Sequence, residues 1–415
     1  MAAATSPIAF DISRPVNLGS ADFQANKYDW YRWMLEEAPV CPGKISVLKV
    51  NLVARYEDCR FVLGDERFVR NQARARGKVG ASPLPIPLPK SIAVVARNMI
   101  LEDDPEHRRL RGLVNKAFLP TVVAGLSGRV EELSFELLDG LAREKGSVDL
   151  LEAYSRPIPT RVIAQMLGLS HDEIDKLQGI LTIFTKGMSG LGIVRSLLWD
   201  FRRASFFVRE LIARKRGKPA DDILSALIHA EDEGERLSED ELVAMVFLLI
   251  IAGFETTLHL ITNGVRVLVE NPDQLGRLRA EPDLWDSAVE EIVRHRGPVH
   301  GTKLQYPTED VPLHGAVLKR GVPIMPMLGA ANHDPRVFEK PDEFDITRSP
   351  NHHLGFGYGP HFCLGRQLAL METRVALRNL FDRFPDLHLA VDPAELEIAK
   401  MPGWHRHLSL PVALG

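Results

Sequence analysis

The stretch Phe356-Gly357-Tyr358-Gly359-Pro360-His361-Phe362-Cys363-Leu364-Gly365 constrains this chain more than any other. Its pattern, F-G-x-G-x-H-x-C-x-G, sets one cysteine in a frame of glycines. Gly357 and Gly359 let the backbone turn tightly and aim N–H groups at the sulfur. Leu364, Leu368, Met371 and Val375 then recur at helical spacing, so a helix is expected from Leu364, with Cys363 at its N-terminus. Unpaired N–H groups and the helix dipole favour negative charge there and keep the sulfur a thiolate. A lone cysteine without this frame would read as a small buried hydrophobe.

Composition fixes the setting. The 415 residues are 45% hydrophobic and 26% charged, as in an ordinary globular chain with a large core. No Ser/Gly linker or charge run divides them, so a single domain over residues 1–415 is expected. A net charge of −4 and a pI near 6.4 argue against a nucleic-acid partner. Cys41, Cys59 and Cys363 cannot all pair and form no metal spacing, which points to a reducing cytoplasm. Met1–Arg14 lacks a basic region followed by an apolar core, so no signal peptide is expected. The longest apolar run, Leu242–Phe254, is 13 residues, short of the ~20 that span a bilayer. A soluble, monomeric, cytoplasmic protein is expected. Among the 14 histidines, His352-His353 and His405-x-His407 lack the further ligands of a closed zinc site.

Residues 1–27 read as irregular and Tyr28–Glu37 as a short helix. Alternation over Lys44–Arg55 predicts a hairpin, and Tyr56–Leu63 a helix. Arg70, Arg74, Arg76 and Lys78 precede Ser82–Pro89, whose alternating prolines impose an extended path. This segment fits a surface loop or an SH3-type ligand. Asp103-Asp104-Pro105 predicts an acidic N-cap and a helix start. His107 and Arg111 then share one helical face and suit a dianionic ligand, with a solvated basic face as the alternative.

Helical patterns follow over Val122–Glu144, Pro157–Leu169, His171–Phe184, Trp199–Arg216 and Ala220–Ala230. The glycines between Lys186 and Gly192 lack G-K-[ST] and suit a lid rather than a phosphate loop. Ser238 and Glu241 form a capping box for a helix running to about Val269. Inside its apolar middle sit Ala252-Gly253-Phe254-Glu255-Thr256-Thr257, residues a plain core helix avoids. Thr256 can bond back to the Ala252 carbonyl and bend the helix. Asp283–His295 is the next helix, with Glu291 and Arg294 set for a buried ion pair. Strands are expected at Lys303–Gln305, Ala316–Lys319 and Val322–Met327.

At these motifs the chain resembles the cytochrome P450 monooxygenases, soluble bacterial members in particular. The resemblance covers residues 28–412 through H-x-x-x-R, A-G-x-E-T, E-x-x-R and the cysteine loop, in that order. It implies a mainly α fold with a small β region around 44–55 and 303–327. A long central helix would lie on one side of heme b and the cysteine-loop helix on the other. Cys363 would be the axial ligand to the heme iron, and such a thiolate favours O–O cleavage. Phe356 would cover the sulfur, Gly357 shape the loop and Gly365 allow close approach to the ring. His107, Arg111 and His361 would hold the propionates. Ala252 and Gly253 would leave room for O₂, and Glu255 and Thr256 would deliver protons. Glu291 and Arg294 would form a structural ion pair. The usual third partner falls on acidic Glu343, with Arg348 the nearest cationic substitute. The usual propionate arginine is replaced by Gln305, with Lys303 available to compensate.

The reaction implied is insertion of one oxygen atom from O₂ into an apolar small molecule. Leu84, Ile86, Leu88, Leu248, Val299 and Trp404 would line the pocket, and Arg70, Arg74 or Arg76 might anchor an acid if one pointed inward. The chain has no flavin or iron–sulfur segment. Electrons would therefore come from NAD(P)H through a separate ferredoxin and its reductase. Arg108, Arg109, Lys116 and Arg366 would offer the ferredoxin a basic patch. The rivals are a peroxide-driven peroxygenase, a non-enzymatic heme sensor or carrier, and a heme-free interaction protein.

Overall fold

Ser238 begins the element on which the others are laid. Its hydroxyl accepts the Glu241 N–H (3.3 Å), while the Glu241 carboxylate accepts the Ser238 N–H (2.8 Å). The helix so opened, Glu239–Glu270, is buried on almost every side through its middle. By length and apolarity it is the one helix among the described residues able to cross a bilayer. Instead the helices Pro157–Met166, Trp285–Arg296 and Arg366–Arg383 pack along it. At Gly264 a Cβ would come within 2.7 Å of Leu377, so only glycine admits the cysteine-loop helix this closely. The computed structural model describes residues 14–78, 98–118, 120–170, 200–232 and 234–415, with isolated positions between them.

The β region forms a corner. Val40–Ile45 and Leu48–Val53 pair antiparallel, with Val16–Asn17 parallel on one edge and Ile324–Pro326 parallel on the other. A Cβ on Gly43 would meet Leu52 at 2.6 Å, so the sheet face closes there without a side chain. Val311–Leu313 and Ala316–Leu318 form a two-residue hairpin. Both its turn residues, His314 (φ 48) and Gly315 (φ 75), are left-handed, as a type I′ turn requires. Ser147–Asp149, Pro411–Ala413 and His388–Leu389 make a third small sheet.

Several expectations need correction. Residues 14–27 are ordered into the strand Val16–Asn17 and the helix Ala21–Ala25, capped by the Ser20 hydroxyl. The hairpin begins at Val40 rather than Lys44, because Cys41 and Gly43 continue the inward alternation across Pro42. Asp103 does not cap the His107 helix, which runs Glu106–Ala117 without a side-chain cap. Its carboxylate instead accepts the N–H groups of Arg70 (2.7 Å) and Asn71 (3.0 Å). The strand expected at Lys303–Gln305 lies at Tyr306–Pro307, where it pairs with Phe68–Val69. The other helices fall where periodicity places them, at Pro120–Leu141, Phe201–Gly217 and Ile223–His229. Leu84, Ile86 and Leu88, the helix expected over His171–Phe184 as a whole and the glycines of 187–192 lie outside the described residues.

Candidate active site

The cysteine loop is closed by its own backbone. The Cys363 N–H donates to the Phe356 carbonyl (2.9 Å), and the Gly357 N–H to that of Leu354 (2.8 Å). Gly357 (φ 77) and Gly359 (φ 71) are left-handed, and a Cβ on Gly359 would strike the Leu63 carbonyl at 2.6 Å. Gly365 is the N-cap of Arg366–Arg383, and the direction a side chain would take from it is open. Burial raises the Cys363 thiol, while the Gly365 N–H, Arg111 and Arg366 pull it back. The sulfur therefore sits among donors and cations, short of one strong partner.

Cationic side chains converge on one region beside this loop. His107 is buried, its ring centroid 4.1 Å from that of His361. Its Nδ1 lies 3.5 Å from Asp104, and its Nε2 has no protein partner. Burial lowers His361 to about 2, with Arg70, His107 and Arg111 adding to the effect. Arg70 is 7% exposed, and its Nε and Nη1 have no partner among the described residues. Burial lowers its guanidinium to about 10 against the pull of Asp103. Lys303 is exposed at the surface, yet the protein around it, then Arg70, lowers its ammonium. Gln305 is buried, and its backbone bonds to Ile324 in both directions (2.9 and 2.8 Å). Unpaired buried donors of this kind imply an anionic ligand.

On the central helix, Leu248, Ala252 and Thr256 form an i,i+4 row that keeps accessible surface, Ala252 the most of the three. The Thr256 hydroxyl donates to the Ala252 carbonyl (2.5 Å). At Gly253 a Cβ would come within 3.3 Å of the Ile163 side chain, a close approach of the two helices. Glu255 turns to the chain's last segment, where its Oε1 accepts from Arg406 Nη2 (3.0 Å). Burial raises its carboxyl, opposed by Arg406 and Arg156. Val299 and Trp404 are joined by a β-bridge.

Glu291 and Arg294 are fully enclosed and joined twice at 2.7 Å. Arg348 adds a contact to Glu291 (3.2 Å), as does the Asn351 amide (3.2 Å). Glu343 contributes its carbonyl, which accepts from Arg294 (3.1 Å), and keeps its carboxylate outside the pair. Arg294 also binds the carbonyls of Asn332 and Pro341, both at 2.8 Å. The network thus ties the run leading into the cysteine loop to the helix Trp285–Arg296.

The basic patch is not a field of free cations. Arg108 pairs with Asp104 (2.7 Å), Lys116 with Asp232 (2.7 Å), Arg109 with Glu106 (3.0 Å) and Glu241, and Arg366 with Glu290. Acids one turn away and on other elements neutralise each one. Charges counted along one helix could not reveal this.

The cytochrome P450 sequence profile matches residues 201–395. The polyketide biosynthesis cytochrome P450 PksS of Bacillus subtilis (strain 168) is 35% identical over 88% of each chain. The 6-deoxyerythronolide B hydroxylase of Saccharopolyspora erythraea is 34% identical, covering 95% of this chain and 96% of its own. The chain belongs to the cytochrome P450 family. The solved structure of PksS superposes with a TM-score of 0.88 at 33% identity, over 96% of this chain and 99% of that one. P450BioI, solved with a hexadec-9Z-enoic acid-ligated acyl carrier protein, gives 0.84 at 31%, over 95% and 99%. This P450 is a heme b monooxygenase that uses O₂ and electrons from a redox partner. These relatives favour that reading over a peroxygenase, a heme sensor or carrier and a heme-free protein.

The residues present fit heme. The group has two carboxylate arms and an iron that takes a thiolate. The chain offers a cysteine in a donor-lined turn and, nearby, a guanidinium and an imidazole with unpaired buried nitrogens. Arg70, which sequence reasoning left among the possible substrate anchors, is buried with unpaired donors and lies close enough to Lys303 to lower its ammonium. We expect Arg70→Leu to speed heme transfer from the holoenzyme to apomyoglobin at least about tenfold, since charged hydrogen bonds contribute roughly 1.5–3 kcal/mol. An unchanged transfer rate would remove Arg70 from the set.

Proposed function

We propose that this P450 hydroxylates an apolar, medium-to-large molecule in the cytoplasm, with electrons from a small ferredoxin and its reductase. The observation that carries the substrate class is the row Leu248, Ala252 and Thr256, in which one hydroxyl stands in otherwise apolar accessible surface. Such a surface orients a substrate by shape and burial rather than by charge. Heme, when bound, supplies the activation and cleavage of O₂. One oxygen atom enters a C–H bond and the other leaves as water, with two electrons and two protons consumed.

The chain's own residues divide the remaining work. Cys363 would ligate the iron, with the Gly365 N–H and Arg111 supporting its negative charge. Arg70, His107, Arg111, Lys303 and His361 would hold the carboxylate arms. Thr256 can turn its hydroxyl from the Ala252 carbonyl toward the cavity, and Glu255 can hold a proton behind it.

The test is a ligand panel read by the Soret shift that follows a ligand entering the site. Dodecanoic acid, a neutral steroid and a neutral macrolactone should include at least one strong shift. A response confined to small polar ligands would overturn the apolar reading. A second reading rests on a separate observation. Arg202 and Arg203 are exposed and carry no ion pair among the described residues, and Phe206 beside them is 63% exposed. With P450BioI crystallised on a charged carrier, an acidic carrier protein bearing the substrate fits that surface. Dodecanoyl-carrier protein should then bind at least about tenfold tighter than the free acid, and equal affinity rejects carrier delivery.

A further inference from the structure

The central helix has a polar seam on the side facing the chain's last segment. Glu255, His259, Asn263, Arg266 and Glu270 follow one another at spacings of three or four and so share a face. Opposite them lie His405, Arg406 and His407. Arg406 donates from Nη2 to Glu255 (3.0 Å) and from Nε to His259 Nε2 (3.1 Å). The Asn263 amide donates to the carbonyls of Arg296 (2.8 Å) and His405 (3.2 Å). Arg266 Nη1 lies 3.4 Å from His407 Nε2, and its Nε donates to Glu270 (2.9 Å). At the outer end Arg266 and Glu270 are 20% and 25% exposed; at the inner end Glu255 is 9% exposed.

Four atoms along this seam are buried without a partner among the described residues: His259 Nδ1, Asn263 Oδ1, His405 Nδ1 and His407 Nδ1. Leaving such groups unsatisfied is costly. Buried groups in such positions are ordinarily bridged by ordered water. Because His259 Nε2 accepts from Arg406, its hydrogen must sit on Nδ1, pointing into the seam. The histidines themselves stay neutral: burial, then neighbouring cations, lowers His259 well below its usual value and His407 to about 3.

We propose that this wet seam is the route by which protons from bulk solvent reach Glu255, and that Arg406 is the residue that positions Glu255 at its inner end. The proposal rests on Glu255 delivering protons during turnover. A guanidinium does not give up its proton at working pH, so Arg406 orients and water with imidazole relays. The charged and titratable groups facing Glu255 are Arg406 from the last segment, Arg156 at the start of the Pro157–Met166 helix, and His259 one turn on.

The test follows the Glu255 carboxyl by infrared difference spectroscopy of the ferrous–CO holoenzyme, with the band identified by its loss in Glu255→Gln. Arg406→Gln should raise the titration midpoint by about one unit, because the nearest cation is gone and ionisation is disfavoured. Arg406→Lys should bring it back down. Asn263→Leu with His407→Phe should leave the midpoint alone while slowing deuterium exchange into the carboxyl at least about tenfold. A merely structural ion pair would also move the midpoint, but it would leave the exchange rate of the seam variant unchanged. The proposal falls if no band disappears in Glu255→Gln, if Arg406→Gln leaves the midpoint in place, or if the seam variant exchanges at the normal rate. Ferredoxin-driven O₂ reduction by Glu255→Gln is measured separately. A normal rate there, beside normal seam behaviour, would sink the catalytic role of Glu255 and leave the route standing.

Discussion

Reduced, CO-treated protein should show a strongly red-shifted Soret band, which Cys363→Ser should abolish and Cys41→Ser and Cys59→Ser should leave intact. The three cysteines differ in what surrounds them. Burial alone pushes the Cys41 thiol up to about 12. Cys59 is pushed up by complete burial, and its Sγ donates to the Val53 carbonyl (3.2 Å), so it is spent as a small core group. Cys363 alone of the three has a backbone N–H and two guanidiniums opposing its burial. A serine hydroxyl cannot substitute, because it stays protonated where a thiol ionises. A histidine-type spectrum from fresh, folded wild-type protein would reject thiolate ligation.

Arg294→Leu lowers the stability of the holoenzyme by about 3–5 kcal/mol, read from urea unfolding together with heme content. The guanidinium is fully enclosed and serves five acceptors: both Glu291 oxygens and the carbonyls of Asn332, Pro341 and Glu343. Removing it leaves three carbonyls without that donor and a buried carboxylate with only Arg348, Asn351 and the Asp345 N–H. The double variant Glu291→Leu/Arg294→Leu should be less damaged than the two single losses added together, because both members of the enclosed pair go at once and only Arg348 loses a carboxylate. A loss below about 1 kcal/mol for Arg294→Leu would deny the network its structural role.

How much of this was legible depended on whether the signal was local. The capping box, the long helix and the hairpin all rest on neighbours within a few residues, and pattern found them. The Cys363 turn was legible because glycine at positive φ leaves a residue-level mark. Arg70 was not, since what distinguishes it from Arg74 and Arg76 is burial beside Lys303 and His107, which only folding supplies. Asp103 looked like a cap because its sequence context is that of one. Its carboxylate is instead taken by N–H groups more than thirty residues upstream. The ion pairs of Arg109, Lys116 and Arg366 were hidden for a related reason: Glu241, Asp232 and Glu290 come from other elements. The strands Ser147–Asp149 and His388–Leu389 are too short for alternation to register.

The convergence of Arg70, Lys303 and Arg111 also bears on how the protein matures. Burial weakens Arg70 and Arg111 as cations, and Arg70 lies close enough to Lys303 to lower its ammonium. Until an anion joins them, that part of the fold is held against its own repulsion. Whatever neutralises them binds the native chain and not the unfolded one, so its binding free energy is added directly to folding. Heme supply during synthesis is thereby linked to yield. A culture short of heme should accumulate less folded chain, and not simply the same amount of colourless protein.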